Sequence, residues 1–414
     1  MQENTLANHH NLLIIFSIFI ISVYVSPSNP VFAQEVQGAE EQLSAVITPP
    51  PVPTQHLPKA MAWSAYNLGT TGYNQAVAVG KVLKNEYGTT LRVVPGKNDI
   101  SRLLPLMKKR VQFSANGSAT YFAQEGVEQF AAKNWGPLPL RLVLMSKGDS
   151  NQAIAVAADT GIKTLSELKG KRVPFVRGAP AVNVTIESFL ACADLGWDDV
   201  VKVEFPGYGA MWNGIVNGQI DAAYATTVSG PTRKLEASPR GIFWPPVPHN
   251  DAACWERVQA KLPIVTQHFA TRGAGISESE PHEGGTYPYP LLITLADTNA
   301  DLVGAVTSVM HQHYNDYKDA DPGAIGWAID RQIFDWVVPF HEGSIRYLRA
   351  IGAWDEALDA HNDGLIERQR ILLDAWQTYA TPAIKKRDRD SFRQGWLAAR
   401  ATALTAANLD PVWN

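Results

Sequence analysis

The sequence predicts an α/β protein of two lobes, and three observations carry that expectation. At 414 residues the chain is longer than one hydrophobic core usually fills, so two cores are expected. From Met61 on, short apolar strand-like runs alternate with amphipathic helical runs, the pattern of mostly parallel strands joined by crossover helices. The alternation breaks at the polar stretch Ser146 to Asn151 and then resumes, as it would where a chain passes from one lobe to the next.

Taken in order, "MAWSAY" reads as a strand and Gly72 to Glu86 as a helix, with Ala76, Val79, Gly80 and Leu83 on one face. "TLRVVP" is a strand, "DISRLLPLMKKR" a helix and "VQFSAN" a strand. After the polar break, "TLSELKGKRVPFV", "TIESFLACADLGW", "VKVEFPG", "AMWNGIVNG", "DAAYAT" and "GPTRKLEA" repeat the alternation, with Gly170 placed as a helix C-cap. Asp221 opens a strand and is read as structural. Beyond "GIFWPPV" comes a loop rich in Gly, Ser and His, then the strand "YPLLITLAD" and the long helical stretch "ADLVGAVTSVMHQHYNDYKDA", expected to re-enter lobe one. The tail "KKRDRDSFRQGWLAARATAL" mixes charges with an apolar stripe, which fits a packed or partner-facing helix rather than a nucleic-acid arm. The expected organisation is a signal peptide at 1–33, a Pro-rich linker at 34–60, lobe one at 61–148, lobe two at 149–270, and a return segment with C-terminal helices at 271–414.

The apolar run "LLIIFSIFIISVYV" is too short to span about 30 Å of hydrocarbon comfortably, and Val31 and Ala33 are small residues suited to a cleavage site. Export to the periplasm is expected, with "TPPPVPTQHLP" as a stiff, unstructured lead-in. The n-region lacks Lys and Arg, which leaves a retained anchor as the alternative. A net charge of -4 argues against nucleic acid or an anionic membrane surface as partner. The two cysteines, Cys192 and Cys254, match no metal spacing and are read as small core hydrophobes, with pairing as the alternative.

Catalytic groupings are missing: no Gly-x-Ser-x-Gly, no His-Glu-x-x-His and no phosphate-binding "GKS" or "GKT". His311 and His313 fall on different sides of a helix, and His282 and His341 each sit beside a glutamate and read as solvated loop or helix-end residues. No catalytic residue, metal ligand or cofactor is assigned. What recurs instead is a strand ending in Gly, Ser, Thr or Asn just ahead of a helix: "NLGTTGYNQ", "PGKNDIS", "SANGSATY", "RGAPAVNVT" and "TTVSGPT". Helix starts present unpaired N–H groups and a partial positive charge. Any single one is explained as an N-cap; several converging from two lobes make a receptor for a polar or anionic guest, since ligands of open α/β lobes lie beyond the carboxyl ends of the strands. The candidates by position are Tyr66, Asn67, Thr70, Thr71 and Tyr73 in the first loop, Asn98 in the second, and Asn116 and Ser118 in the third. Lobe two adds Arg177, a candidate carboxylate clamp, with Asn183, Tyr208, Trp212, Thr226 and Ser229. Tyr287 and Tyr289 are placed at the mouth of the cleft.

The segments "LGTTGYNQAVAVGKVL", "RVVPGKNDISRLLPLMKKRVQFSANGSATYFAQEG", "IKTLSELKGKRVPFV", "NGQIDAAYATTVSGP" and "GGTYPY" resemble the TAXI family of TRAP-transporter solute-binding proteins, from Met61 to about Tyr317. The resemblance implies a type II periplasmic-binding fold, closure of two lobes on a small organic anion, often glutamate-like, and delivery to TRAP transporter membrane subunits. The chain departs from the family at "GAPAVNVT", where Pro180, Ala181 and Val182 replace permissive glycines and Pro180 removes a backbone donor. A glutamate-type carboxylate would lose contacts there. A secreted enzyme or a ligand-presenting sensor on the same scaffold are the rival readings.

Overall fold

The computed structural model describes residues 48–385 and 388–412; the expected signal peptide and the first part of the linker lie outside the described residues. Lobe one begins with β1 (Ala60–Ala65), α1 (Thr71–Tyr87), β2 (Thr90–Pro95), α2 (Asp99–Met107), β3 (Phe113–Asn116), α3 (Ala119–Glu125) and β4 (Leu140–Met145). The chain then builds lobe two from β5 (Gln152–Ala157), β6 (Arg172–Val176), α4 (Pro180–Cys192), β7 (Val201–Phe205), α5 (Tyr208–Val216), β8 (Ala222–Thr226), α6 (Gly230–Glu236), β9 (Ile242–Phe243), α7 (Ala252–Lys261), β10 (Thr266–Ala270) and β11 (His282–Thr286). It returns through β12 (Leu291–Leu295) and ends in α8 (Ala300–Gln312), α9 (Tyr314–Tyr317), α10 (Glu342–Ala350), α11 (Glu356–Ala383) and α12 (Arg389–Ala406).

Lobe one's sheet has the order β2-β1-β3-β12-β4. β1 runs parallel to β2 and β3, while the returning β12 is inserted antiparallel between β3 and β4. β3 and β12 are buried along their whole length because helices cover both faces, whereas the edge strand β2 is exposed or half-buried throughout. Lobe two carries an antiparallel sheet of order β10-β11-β5-β8, with β9 beside β5, and a separate parallel pair β6-β7. Lobe one is mostly parallel as the alternation suggested, with β12 its one reversed strand, whereas the main sheet of lobe two is antiparallel and departs from that expectation. A strand that returns from the other lobe can enter in either direction, and local periodicity carries no sign of which. The topology is the two-lobed α/β arrangement of the type II periplasmic-binding fold.

Three further expectations change. Cys192 on α4 and Cys254 on α7 form a disulfide across 62 positions, because packing of these two helices brings their Cα atoms to 4.1 Å. The return to lobe one comes after β11, which still pairs in lobe two, and not at residue 271. The lead-in is not free of structure once described: Thr54–His56 forms a short 3-10 turn, Val52 and Leu57 pack on the core, and Gln312 Nε2 donates to Pro50 O at 2.8 Å.

The C-terminal helices dock on lobe one around a buried charge. Glu125, at the end of α3, is paired with Arg368 of α11 at 2.7 Å and with Arg400 of α12, and Trp396 Nε1 donates to Gly126 O at 2.6 Å.

Candidate functional site

Six helices begin at the carboxyl ends of strands: α1 after β1, α2 after β2, α3 after β3, α4 after β6, α5 after β7 and α6 after β8. Only α2 is capped by a side chain, with Asn98 Oδ1 accepting from Ser101 N at 2.9 Å. Thr70, Ser118 and Ser229 precede their helices without capping them. The Thr70 hydroxyl instead donates to Asn67 O in the preceding turn at 2.7 Å, and that of Ser118 lies 3.3 Å from Tyr287 Oη.

These helix starts surround a chamber between the lobes. The space there is about 390 Å³. Lobe one lines it with Tyr66, Thr70, Asp99, Arg102 and Gly117; lobe two with Gln152, Ala181, Val182, Tyr208, Tyr224, Thr226 and Ser229; the returning segment with Tyr287 and Tyr289. The last two belong to the chamber wall and not to the mouth of the cleft: Tyr287 is buried, and the return segment passes directly behind the site.

Two charged residues line the chamber. Asp99 and Arg102, both buried, pair at 2.5 Å one turn apart on α2. Arg102 Nη1 also donates to Ala115 O at 3.0 Å, its guanidinium lies 4.0 Å from the centre of the Tyr66 ring, and its Nε has no partner. Burial pushes the Asp99 carboxyl up, while Arg102 and the Ala181 amide pull it down. Around this pair run the phenols. Tyr224 Oη donates to Gln152 Oε1 at 2.7 Å and lies 2.9 Å from Tyr287 Oη, which is 3.3 Å from Ser118 Oγ; Thr226 Oγ1 donates to Gln152 Oε1 at 3.1 Å. The Tyr66 hydroxyl has no partner. Burial pushes the Tyr289 phenol up to about 12 and Tyr66 and Tyr224 well above their ordinary value, so these groups are neutral donors at physiological pH.

The lobes meet around the chamber through hydrogen bonds between main-chain groups and between main chain and side chain. Tyr208 N donates to Lys97 O at 2.9 Å, Ile100 N to Gly178 O at 3.2 Å, Asn98 Nδ2 to Arg177 O at 2.9 Å and Ala181 N to Asp99 Oδ2 at 2.8 Å. The Tyr66 and Tyr208 rings meet edge-on at 4.8 Å. Approach is close enough to require glycine: a Cβ on Gly230 would stand 2.3 Å from Gly69 O, and one on Gly178, whose φ is +74°, would stand 2.5 Å from Asn98 Nδ2. This is a closed cleft.

Of the residues singled out from sequence, Tyr66, Thr70, Tyr208, Thr226 and Ser229 line the chamber, and Ser118 reaches it through Tyr287. Asn98 acts at the lobe contact. Thr71 donates to Asp321 and accepts from Gln75, while Tyr73 packs half-buried on the core. Asn116 bonds to Gly117 N and Ser114, and Asn183 ties α4 back to both backbone groups of Val176, so both serve the local fold. Trp212 donates to Tyr224 O from the buried side of α5. Arg177 is not a clamp inside the chamber. It is exposed, because its N–H continues the β6-β7 pairing to Phe205 O and its carbonyl faces Asn98; the guanidinium in the chamber is that of Arg102. Asp99 and Arg102 were missed by sequence reasoning. The available signal was an arginine in the first turn of a helix, where the macrodipole disfavours a cation unless something anionic faces it.

Outside the chamber, Asn67, Leu68, Lys97, Trp212, Pro231 and Lys234 contribute to an outer groove of about 1060 Å³, walled off by Tyr208, which touches both spaces. A larger apolar hollow of about 1130 Å³ lies between α11 and α12, with no charged group in its lining and none of the helix starts near it. We assign the site to the chamber, where polar groups from both lobes converge. Among the described residues, no group of three or more His, Cys, Asp or Glu is placed to hold a metal ion.

Solved structures similar to the chain include the alkanesulfonate-binding protein of Xanthomonas axonopodis pv. citri bound to MOPS, at 16% identity over 78% of this chain and 93% of that one with a TM-score of 0.41. An ancestral arginine-binding protein bound to arginine matches at 12% identity over 64% and 97% with a TM-score of 0.39. A periplasmic binding protein from Brucella ovis with glutathione bound matches at 12% over 61% and 67% with a TM-score of 0.39. None of the curated proteins matches. Over residues 67–352, which hold every residue of the chamber except Tyr66, the sequence matches the NMT1-like family, and the chain belongs to that family.

Proposed function

We propose that this protein is an extracytoplasmic solute-binding receptor that encloses a small polar organic solute, of amino-acid size and with an acceptor group such as a carboxylate, between its two lobes. One observation carries the reading: a chamber at the lobe contact, lined from both lobes, whose wall holds a buried guanidinium and five tyrosines. Membership of the NMT1-like family supports it. The likeness to structures described as sulfonate-, amino-acid- and glutathione-bound proteins is in keeping with a small guest.

The guest enters when the lobes part, at the two connections near 146–151 and 287–290, and the closed population grows because only that state offers both walls. Tyr66 and Arg102 on one side and Tyr208, Tyr224 and Gln152 on the other supply contacts that exist together only after closure. The guest leaves unaltered. For the membrane partner we infer a TRAP-type transporter, on the resemblance of the "LSELKGKRV" and "GQIDAAYA" segments to the TAXI family, and for the location the periplasm, on the N-terminal apolar run. Native mass spectrometry of the protein from its source cells should release an intact small molecule that raises the melting temperature when added back. Deletion should abolish sodium-dependent uptake of that molecule. Conversion of the bound molecule into a product would overturn the receptor reading.

A further inference from the structure

We propose that Asp99 is a built-in stand-in for a ligand carboxylate, so that the chamber takes a guest with no net negative charge: a neutral or zwitterionic solute and not a free anion. The inference deepens the receptor reading and rests on it for the existence of a guest. Asp99 belongs to lobe one, yet its Oδ2 accepts from Ala181 N, in the first turn of α4 in lobe two, at 2.8 Å. Pro180, just before, has no N–H, so Ala181 offers the first amide of that helix start. The other oxygen, Oδ1, accepts from Arg102 at 2.5 Å. One carboxylate thus holds both the helix start and the guanidinium, the two groups a bound anion would need.

Charge balance follows. Among the described residues lining the chamber, Asp99 and Arg102 alone are charged, and they cancel. A guest anion would add an uncompensated charge in a site shut off from water, which is costly. Two groups remain unsatisfied, Arg102 Nε and the Tyr66 hydroxyl, both buried. They suit an acceptor on a guest whose own charges balance.

The test uses the exported, full-length folded protein. Asp99→Ala leaves the Ala181 N–H and Arg102 facing a gap of carboxylate size. Sodium acetate should then raise the melting temperature of the variant saturably, sodium chloride at equal ionic strength should not, and the wild type should respond to neither. A folded variant indifferent to acetate, or a wild type stabilised by acetate to the same extent, overturns the assignment. Asp99→Asn keeps the shape and drops the charge, so it guards against a misfolded alanine variant. It should gain saturable stabilisation by sodium nitrate that the wild type lacks, and an identical nitrate response in the two proteins counts against the proposal. Both variants probe the seat and not the native guest, so they are informative whatever solute the receptor carries. Recovery of a dicarboxylate from the wild type would sink the charge rule while leaving the receptor reading intact.

Discussion

A single methyl group on Gly230 should hold the cleft open. Gly230 is the first residue of α6, and its Cβ position lies 2.3 Å from Gly69 O across the lobe boundary. Ordinary carbon–oxygen contact begins at about 3.3 Å, so Gly230→Ala requires roughly 1 Å of separation at this point. Four hydrogen bonds join the lobes nearby, at 2.8–3.2 Å, and bonds of this kind weaken steeply when stretched by that much. Losing two of them, at about 1 kcal/mol each, costs the closed state about 2 kcal/mol and lowers its population relative to the open state roughly 30-fold. The fold of each lobe should not suffer, because alanine is the better helix former and the position is free once the lobes part. Small-angle scattering should show a larger radius of gyration for the variant than for the wild type, with an unchanged or slightly higher melting temperature. A variant as compact as the wild type would refute the claim that this contact sets closure.

Glu125→Gln should destabilise the protein by about 3–5 kcal/mol in denaturant titration, because it removes the buried carboxylate that pairs with both Arg368 and Arg400. Opening the Cys192–Cys254 bond with reductant should lower stability by about 4 kcal/mol, the chain-entropy value for a loop closed across 62 positions. Burial lowers His282 from 6.5 to about 4, so the unfolded chain takes up a proton that the fold refuses. The stability this gives is fully present above pH 6.5 and is lost as pH falls toward 4, about 3 kcal/mol in all, and the slope of stability against pH over that window should flatten in His282→Gln. Arg102→Ala should abolish binding of whatever solute is recovered from the wild type, while Arg177→Ala should leave its dissociation constant unchanged in calorimetry.

Much of the fold was legible because it is local. The strand "TLRVVP" coincides with β2, and the helix from Gly72 to Glu86 falls one residue short of α1 at each end, since apolar period and capping glycines act within a few residues. The long helical stretch after Asn299 was read as one element, yet it breaks at His313, where the Tyr317 hydroxyl turns back to Met310 O. The site was legible only in outline. Loops at strand ends pointed to Tyr66, Thr70, Tyr208, Thr226 and Ser229, but Arg177 and Arg102 stand in equivalent places at the ends of a strand and in the first turn of a helix. Which of them turns inward depends on the neighbouring strand and on the other lobe.

Where strands and helices lie, the division into two lobes and the clustering of polar helix starts at strand ends can all be read along the chain, because each follows from periodicity and turn chemistry within a short window. Tertiary structure alone decided that Asp99 meets Ala181 across 82 positions, that Cys192 finds Cys254, and that β12 enters its sheet antiparallel. Those pairings are set by which surfaces must be buried together once the elements exist, a global condition that no short window of sequence records.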